Sequence, residues 1–222
     1  MFYTTKCFFR KPKTWDQSSI VKGKLRCVRV FKALMDLKNM STPAECNIVA
    51  ETLVGFWPLN SEYGGVDLSG YGHNITLHGT SFADNAVAFA GTTSSYGEIP
   101  ASSSLQLQHH FTWMAEYYPE AANYGPLFEY LETNFHEWSL HIWYNHDKLF
   151  FRPSIKGISS SVHAMSTTLL VSQQWNKIGL SFDSEAGVTK MIVNGVEEEF
   201  ENHDTWIGEI GPTDRNVYLG FV

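Results

Sequence analysis

From residue 53 onward, apolar and polar residues alternate with period two in short runs broken by Gly, Pro, Asn and Asp, the pattern of half-buried strands joined by tight turns. Trp175–Asp183 is a clear case: Ile178, Leu180 and Phe182 fall on one face and Lys177, Gly179 and Ser181 on the other. The same pattern predicts strands over Leu53–Leu59, Ile75–His78, Ala86–Ala90, His110–Tyr118, Pro126–Leu131, Phe135–Tyr144, Lys148–Arg152, Thr167–Val171, Val188–Val193, Val196–Phe200 and Asn216–Phe221. Asn194-Gly195 lies between two of them and predicts a two-residue hairpin, because both residues tolerate positive φ. Many short antiparallel strands imply an all-β fold, a two-sheet antiparallel sandwich or jelly roll. Its expected core includes Trp57, Phe89, Trp113, Leu180, Phe182, Ile192 and Leu219.

The first fifty residues differ. Met1–Gly23 is basic and irregular, Lys24–Phe31 reads as a strand, Lys32–Lys38 as a short helix and Ser41–Pro43 as a turn. Ten Lys and Arg stand against three acidic residues here, a charge of +7, whereas the whole chain carries −7 and the remainder therefore −14. Either the basic segment packs against an acidic body, or it is an arm for anionic partners.

Composition narrows the class. A chain of 222 residues with 43% hydrophobic and 18% charged residues is not disordered, and it is long enough to bury a core without a metal or disulfide. Apolar runs such as Ala86–Ala90 are too short for a membrane-spanning helix. The net negative charge argues against nucleic acid. Cys7, Cys27 and Cys46 form no metal-ligand spacing. Cys27 and Cys46 bracket one segment and are the better disulfide pair, three reduced thiols being the other reading. No secretory signal opens the chain, yet Asn39-Met40-Ser41 and Asn74-Ile75-Thr76 are glycosylation acceptors by pattern, which suits a piece of a longer extracellular protein.

Leu53-Val54-Gly55-Phe56-Trp57-Pro58-Leu59 is followed by Asp67-Leu68-Ser69-Gly70-Tyr71-Gly72-His73, Leu77-His78-Gly79 and Ala86-Val87-Ala88-Phe89. Later come Trp175-Asn176-Lys177-Ile178 through Phe182-Asp183, Lys190 through Gly195, and Asn216-Val217-Tyr218-Leu219-Gly220. In this order the motifs resemble the laminin-G-like jelly rolls of the concanavalin A-like lectin/glucanase superfamily over about residues 52–221. The resemblance divides the chain into a basic N-terminal segment, 1–51, and a jelly-roll domain, 52–222. Lys24–Phe31 and the following residues resemble the strand and short helix that normally close such a domain, displaced to its front. Lys24–Phe31 is therefore expected to fold back beside Leu53–Leu59, the alternative being the tail of a preceding domain in a tandem array. Members of that superfamily can bind calcium through loop oxygens, and Asp67, helped by Asn74, best matches the relevant turn, a side chain that only closes the turn being the favoured reading.

Catalytic motifs are sparse. His136-Glu137-Trp138-Ser139-Leu140-His141 approaches the zinc-protease H-E-x-x-H pattern with one residue too many, and in a strand its two histidines face opposite ways. The E-x-D-x-x-E strand of the superfamily's glucanases is absent, and Glu197–Glu199 with Glu201 reads as a solvated charge run. No catalytic residue is assigned. Binding is expected instead, because an exposed aromatic plane flanked by polar groups suits the apolar face and polar edge of a sugar. Phe135, His141, Trp143 and Phe151 are the candidates on one sheet face, and Trp206 on a loop. The expectation is a non-catalytic extracellular recognition or adhesion module for carbohydrate or a protein partner. A degenerate glycoside hydrolase or lyase and a ligand-free spacer are the alternatives.

Overall fold

The structure, a computed structural model, describes residues 19–38, 51–121, 124–130, 139–158, 163–201 and 206–220. Its strands run β1 Lys22–Phe31, β2 Leu53–Trp57, β3 Thr76–His78, β4 Ser81–Ala83, β5 Ala86–Ala90, β6 Tyr96–Ile99, β7 Phe111–Pro119, β8 Tyr124–Tyr130, β9 His141–Asn145, β10 Lys148–Arg152, β11 Ala164–Met165, β12 Asn176–Asp183, β13 Val188–Val193, β14 Val196–Glu201 and β15 Val217–Leu219. They form two antiparallel sheets. The larger has the order β14-β13-β12-β7-β1-β5-β4, with β2 also paired to β1, and the smaller the order β11-β10-β9-β8-β15-β6-β3.

Alternation explains the packing between them. On β12 Ile178, Leu180 and Phe182 point into the sandwich, on β7 Phe111, Trp113 and Tyr117, and on the opposite sheet Phe128, Tyr130, Tyr144, Phe151 and Leu219. All seven predicted core residues are buried. Ile192, however, lies on the outer face of the larger sheet in a second, small cluster with Phe31, Leu37, Leu53, Phe56 and Met114. Asn194 and Gly195 have φ of 51° and 87° and close the β13–β14 hairpin, as their sequence requires. Gly55 has a different reason: a Cβ there would lie 2.3 Å from the Trp57 ring, so the strand admits no side chain at that position.

β1 is a central strand. One edge pairs along β7; the other pairs first with β5, Lys22 opposite Ala90 through Leu25 opposite Val87, and then with β2, Val28 opposite Trp57 through Val30 opposite Gly55. The change of partner occurs at Cys27, where φ is 53° and the ladder to β7 shifts between Arg26 and Arg29. Two of the four basic residues of this strand pair with acidic ones from the body: Lys24 Nζ lies 2.6 Å from Asp84 and Arg26 Nη2 2.8 Å from Glu116.

The expected helix over Lys32–Lys38 is not formed. Beyond Phe31 the chain bends and turns across the sheet. Seven residues are too few to sustain a helix by propensity alone. The Thr112 hydroxyl instead donates to the Ala33 carbonyl and accepts from Met35 N–H, while Leu37 is buried. Nor is Thr167–Val171 a strand: Ser166 Oγ donates to Thr168 O, Leu170 N–H donates to Asp147 O, and the segment becomes a tied loop. Among the described residues no helix is long and apolar enough to cross a membrane.

Candidate functional site

The outward face of the smaller sheet carries the site. In β9 the residues alternate, so Ile142 and Tyr144 enter the core while His141 and Trp143 face out. β10 pairs with it so that Phe150 lies opposite Trp143, Phe151 opposite Ile142 and Arg152 opposite His141. Cross-strand partners share a face, and this register corrects the expected patch. Phe151 is wholly buried; Phe150 is the residue beside Trp143. Trp206 is also a core residue, packed edge-on against Phe151 and Phe182 with ring centroids 6.3 and 6.5 Å away. Its loop position in sequence concealed that it plugs the sandwich. Phe135, His136, Glu137 and Trp138 lie outside the described residues.

What remains is a hollow of about 280 Å³ lined by Tyr124, His141, Trp143, Asn145, His146, Phe150 and Arg152. Tyr124 stacks on Trp143 at 6.3 Å and on His146 at 5.7 Å, with planes within 20° of parallel in both pairs. Trp143 is held by its Nε1–H, which donates to Glu129 Oε2 at 2.6 Å. Glu129 Oε1 lies 2.7 Å from His141 Nδ1, and the two side chains are almost fully buried. Arg152 Nη2 lies 2.9 Å from His141 Nε2. A guanidinium only donates, so His141 Nε2 is the acceptor of that pair, while Nδ1 faces the Glu129 carboxylate. Glu129, His141 and Arg152 thus form one chain of contacts that fixes both the arginine and the indole.

Sequence reasoning found His141 and Trp143 but missed Tyr124, Glu129, Asn145, His146, Phe150 and Arg152. The odd positions of β9 were legible; the partners come from strands whose registers are not. The larger polar row is of the same kind. Thr76, Glu98, Tyr218, Glu129, His141 and Arg152 are successive cross-strand partners over six strands.

Asp67 occupies the turn anticipated for calcium, and its oxygens are engaged by the protein. Oδ1 accepts from Phe56 N–H and Ser69 N–H at 2.9 Å each, and Oδ2 from Ser69 Oγ at 2.8 Å and His73 N–H at 2.9 Å. Asn74 Oδ1 accepts from Asp67 N–H at 2.9 Å. Trp57 Nε1–H donates to the His73 carbonyl at 2.6 Å, tying the same turn to the core. Among the described residues no group of three or more His, Cys, Asp or Glu could hold a metal ion. Cys27 is disulfide-bonded; Cys7, Cys46 and the sequon at Asn39 lie outside the described residues.

The acidic run over 197–201 forms β14, at the edge of the larger sheet, and is more than a solvated face. Glu198 accepts from the backbone N–H of Thr167 and of Thr168 at 2.7 Å each, and Glu199 pairs with Lys190 at 3.0 Å.

No protein-family model matches the sequence, and no curated protein matches it. Solved structures do. A tryptophan-to-alanine mutant of HCR/D aligns with TM-score 0.50 and 10% identity over 70% of this chain and 40% of that one. Domains LG4-5 of the mouse laminin α1 chain align with TM-score 0.43 and 14% identity over 55% of this chain and 31% of that one. The endo-β-1,4-glucuronan lyase of the fungus Trichoderma reesei aligns with TM-score 0.39 and 14% identity over 66% and 74%. The chain thus spans less than half the length of the first two. At these identities the likeness is one of fold alone: a jelly-roll sandwich of two antiparallel sheets, as in the HCR/D structure.

Proposed function

We propose that the chain is a non-catalytic recognition module that binds carbohydrate at the hollow on the smaller sheet. The observation that carries this reading is the Tyr124–Trp143–His146 stack beside Asn145, His141 and Arg152. A sugar ring has an apolar C–H face, which suits an aromatic plane, and hydroxyl edges, which suit amide, imidazole and guanidinium groups. Trp143 reaches the hollow in one orientation because the buried Glu129 holds its N–H, so little side-chain freedom is lost on binding. A glycan array followed by calorimetry tests it. Trp143→Ala should weaken the bound glycan by about 2 kcal/mol, roughly thirtyfold. An unchanged affinity would place binding elsewhere, and a protein partner would become the better occupant.

The reading includes an extracellular location within a larger protein. Its supports are the Asn74 sequon, whose Nδ2 stays out of the Asp67 bond, and the bonded Cys27, for which Cys46 is the proposed partner. Trypsin mapping for a glycan on Asn74 and for a linked Cys27–Cys46 peptide checks both. A hydrolase or lyase is the competing reading. Glu98 and Glu129 share the sheet face two strands apart, roughly 10 Å at the usual strand spacing, near the separation used by inverting glycosidases. Against it, the Glu129 side chain is almost fully buried, with its oxygens turned to Trp143 and His141 rather than to the open face where a substrate would lie. Turnover of any polysaccharide would decide for the enzyme.

A further inference from the structure

Resting on that reading, we infer that the ligand is a neutral, β-linked oligosaccharide lying across the strands, with a second subsite built by His78, Tyr96, Glu98, Asn216 and Tyr218. These residues stand on β3, β6 and β15 and just before β15, on the same outward face as the hollow and outside it. His78 stacks on Tyr96 with centroids 4.4 Å apart and planes 21° from parallel, and Tyr96 lies 6.1 Å from Tyr218. Glu98 Oε1 accepts from Asn216 Nδ2 at 2.6 Å and from the Tyr218 hydroxyl at 2.8 Å. Burial and the Glu98 carboxylate raise the Tyr218 pKa, so the phenol stays protonated and donating. Among the described residues Glu98 Oε2 meets only His78 Nε2, at 4.0 Å, and the two side chains are partly exposed, at 29% and 39%.

This is again an aromatic platform next to a fixed hydrogen-bond acceptor. An oriented carboxylate with one oxygen engaged by two neutral donors and the other turned outward keeps its charge, accepts from sugar hydroxyls and repels a uronate. The two platforms are joined by the row itself. Tyr218 lies opposite Glu98 on one side and Glu129 on the other, and Glu129 lies opposite His141. From β6 to β9 there are three strand spacings, roughly 14 Å, the reach of a trisaccharide or longer. One ring on Tyr96 and one on Trp143 therefore belong to the same chain. Rings with all-equatorial hydroxyls leave both faces apolar, so a β-linked glucan matches two platforms and a carboxylate, and cello-oligosaccharides are the probe for it.

Calorimetry with cellobiose through cellohexaose on the full chain tests this. Cellohexaose should bind at least roughly tenfold tighter than cellobiose, in the range expected of an added aromatic contact. Tyr96→Ala and Glu98→Gln should bring cellohexaose down to the cellobiose value and leave cellobiose unchanged, whereas Trp143→Ala should weaken both. Length-independent affinity, an unaltered cellohexaose constant in Tyr96→Ala, or no binding of any cello-oligosaccharide would each overturn the second subsite. In the last case a different glycan lost on Trp143→Ala keeps the hollow as a sugar site, and a blank array removes the hollow as well. Circular dichroism melts of each variant separate loss of binding from loss of fold.

Discussion

Asp67 satisfies three backbone N–H groups of the strand and turn it joins, those of Phe56, Ser69 and His73, together with the Ser69 hydroxyl, and does so from a buried position. Removing it leaves buried donors without acceptors, a cost of about 1–3 kcal/mol each. Asp67→Ala is therefore expected to lower stability by about 3–5 kcal/mol in denaturant titrations. A calcium ion at this turn would have to displace those donors, so melting with calcium or with chelator should coincide in wild type and in Asp67→Ala. A large calcium shift lost in the variant would make the turn a metal site. Trp143 and Phe151 teach the complementary lesson. Alternation in β9 places Trp143 outward, but it does not identify its cross-strand neighbour, and only the β9–β10 register shows that this is Phe150 and not Phe151. A single position of slip exchanges a core ring for a surface ring.

Glu198 shows an edge element fastening a loop that has no regular structure. Burial opposes its charge, but the N–H groups of Thr167 and Thr168 outweigh that and hold its pKa below the usual carboxylate value. A depressed folded-state value means that the stabilisation is fully present above the unfolded value, near 4.5, and is lost as pH falls through the lower folded value. Wild type should thus melt above Glu198→Gln at pH 6, and the two curves should converge toward pH 3. Parallel curves at all pH values would show that the loop is held by packing instead. The run Glu197–Glu199 was legible as charge, and the hairpin before it as Asn194-Gly195. That one of these carboxylates reaches the backbone some 30 residues away was not, since no local pattern encodes it.

At the scale of the whole molecule β1 is the decisive strand, because it lies between β7 on one edge and β5 and β2 on the other. A chain starting at residue 32 should leave three strands with open edges and aggregate on expression. Fusing residues 19–31 after residue 222 through a flexible linker should restore a soluble, cooperatively melting protein. Soluble folding of the truncated chain would show that β1 is dispensable. The alternation of apolar residues, the turn at Asn194-Gly195 and the glycine beside Trp57 determined that the chain is an all-β sandwich and that Trp57, Trp113, Leu180 and Phe182 fill it, because side-chain direction in a strand depends only on the parity of position. The bend over Lys32–Lys38, the burial of Trp206 and the row from Glu98 through Tyr218, Glu129 and His141 to Arg152 were decided by tertiary structure. Strand order and register join residues more than a hundred positions apart, and the free energy that selects them comes from packing two sheets together, which no single segment contains.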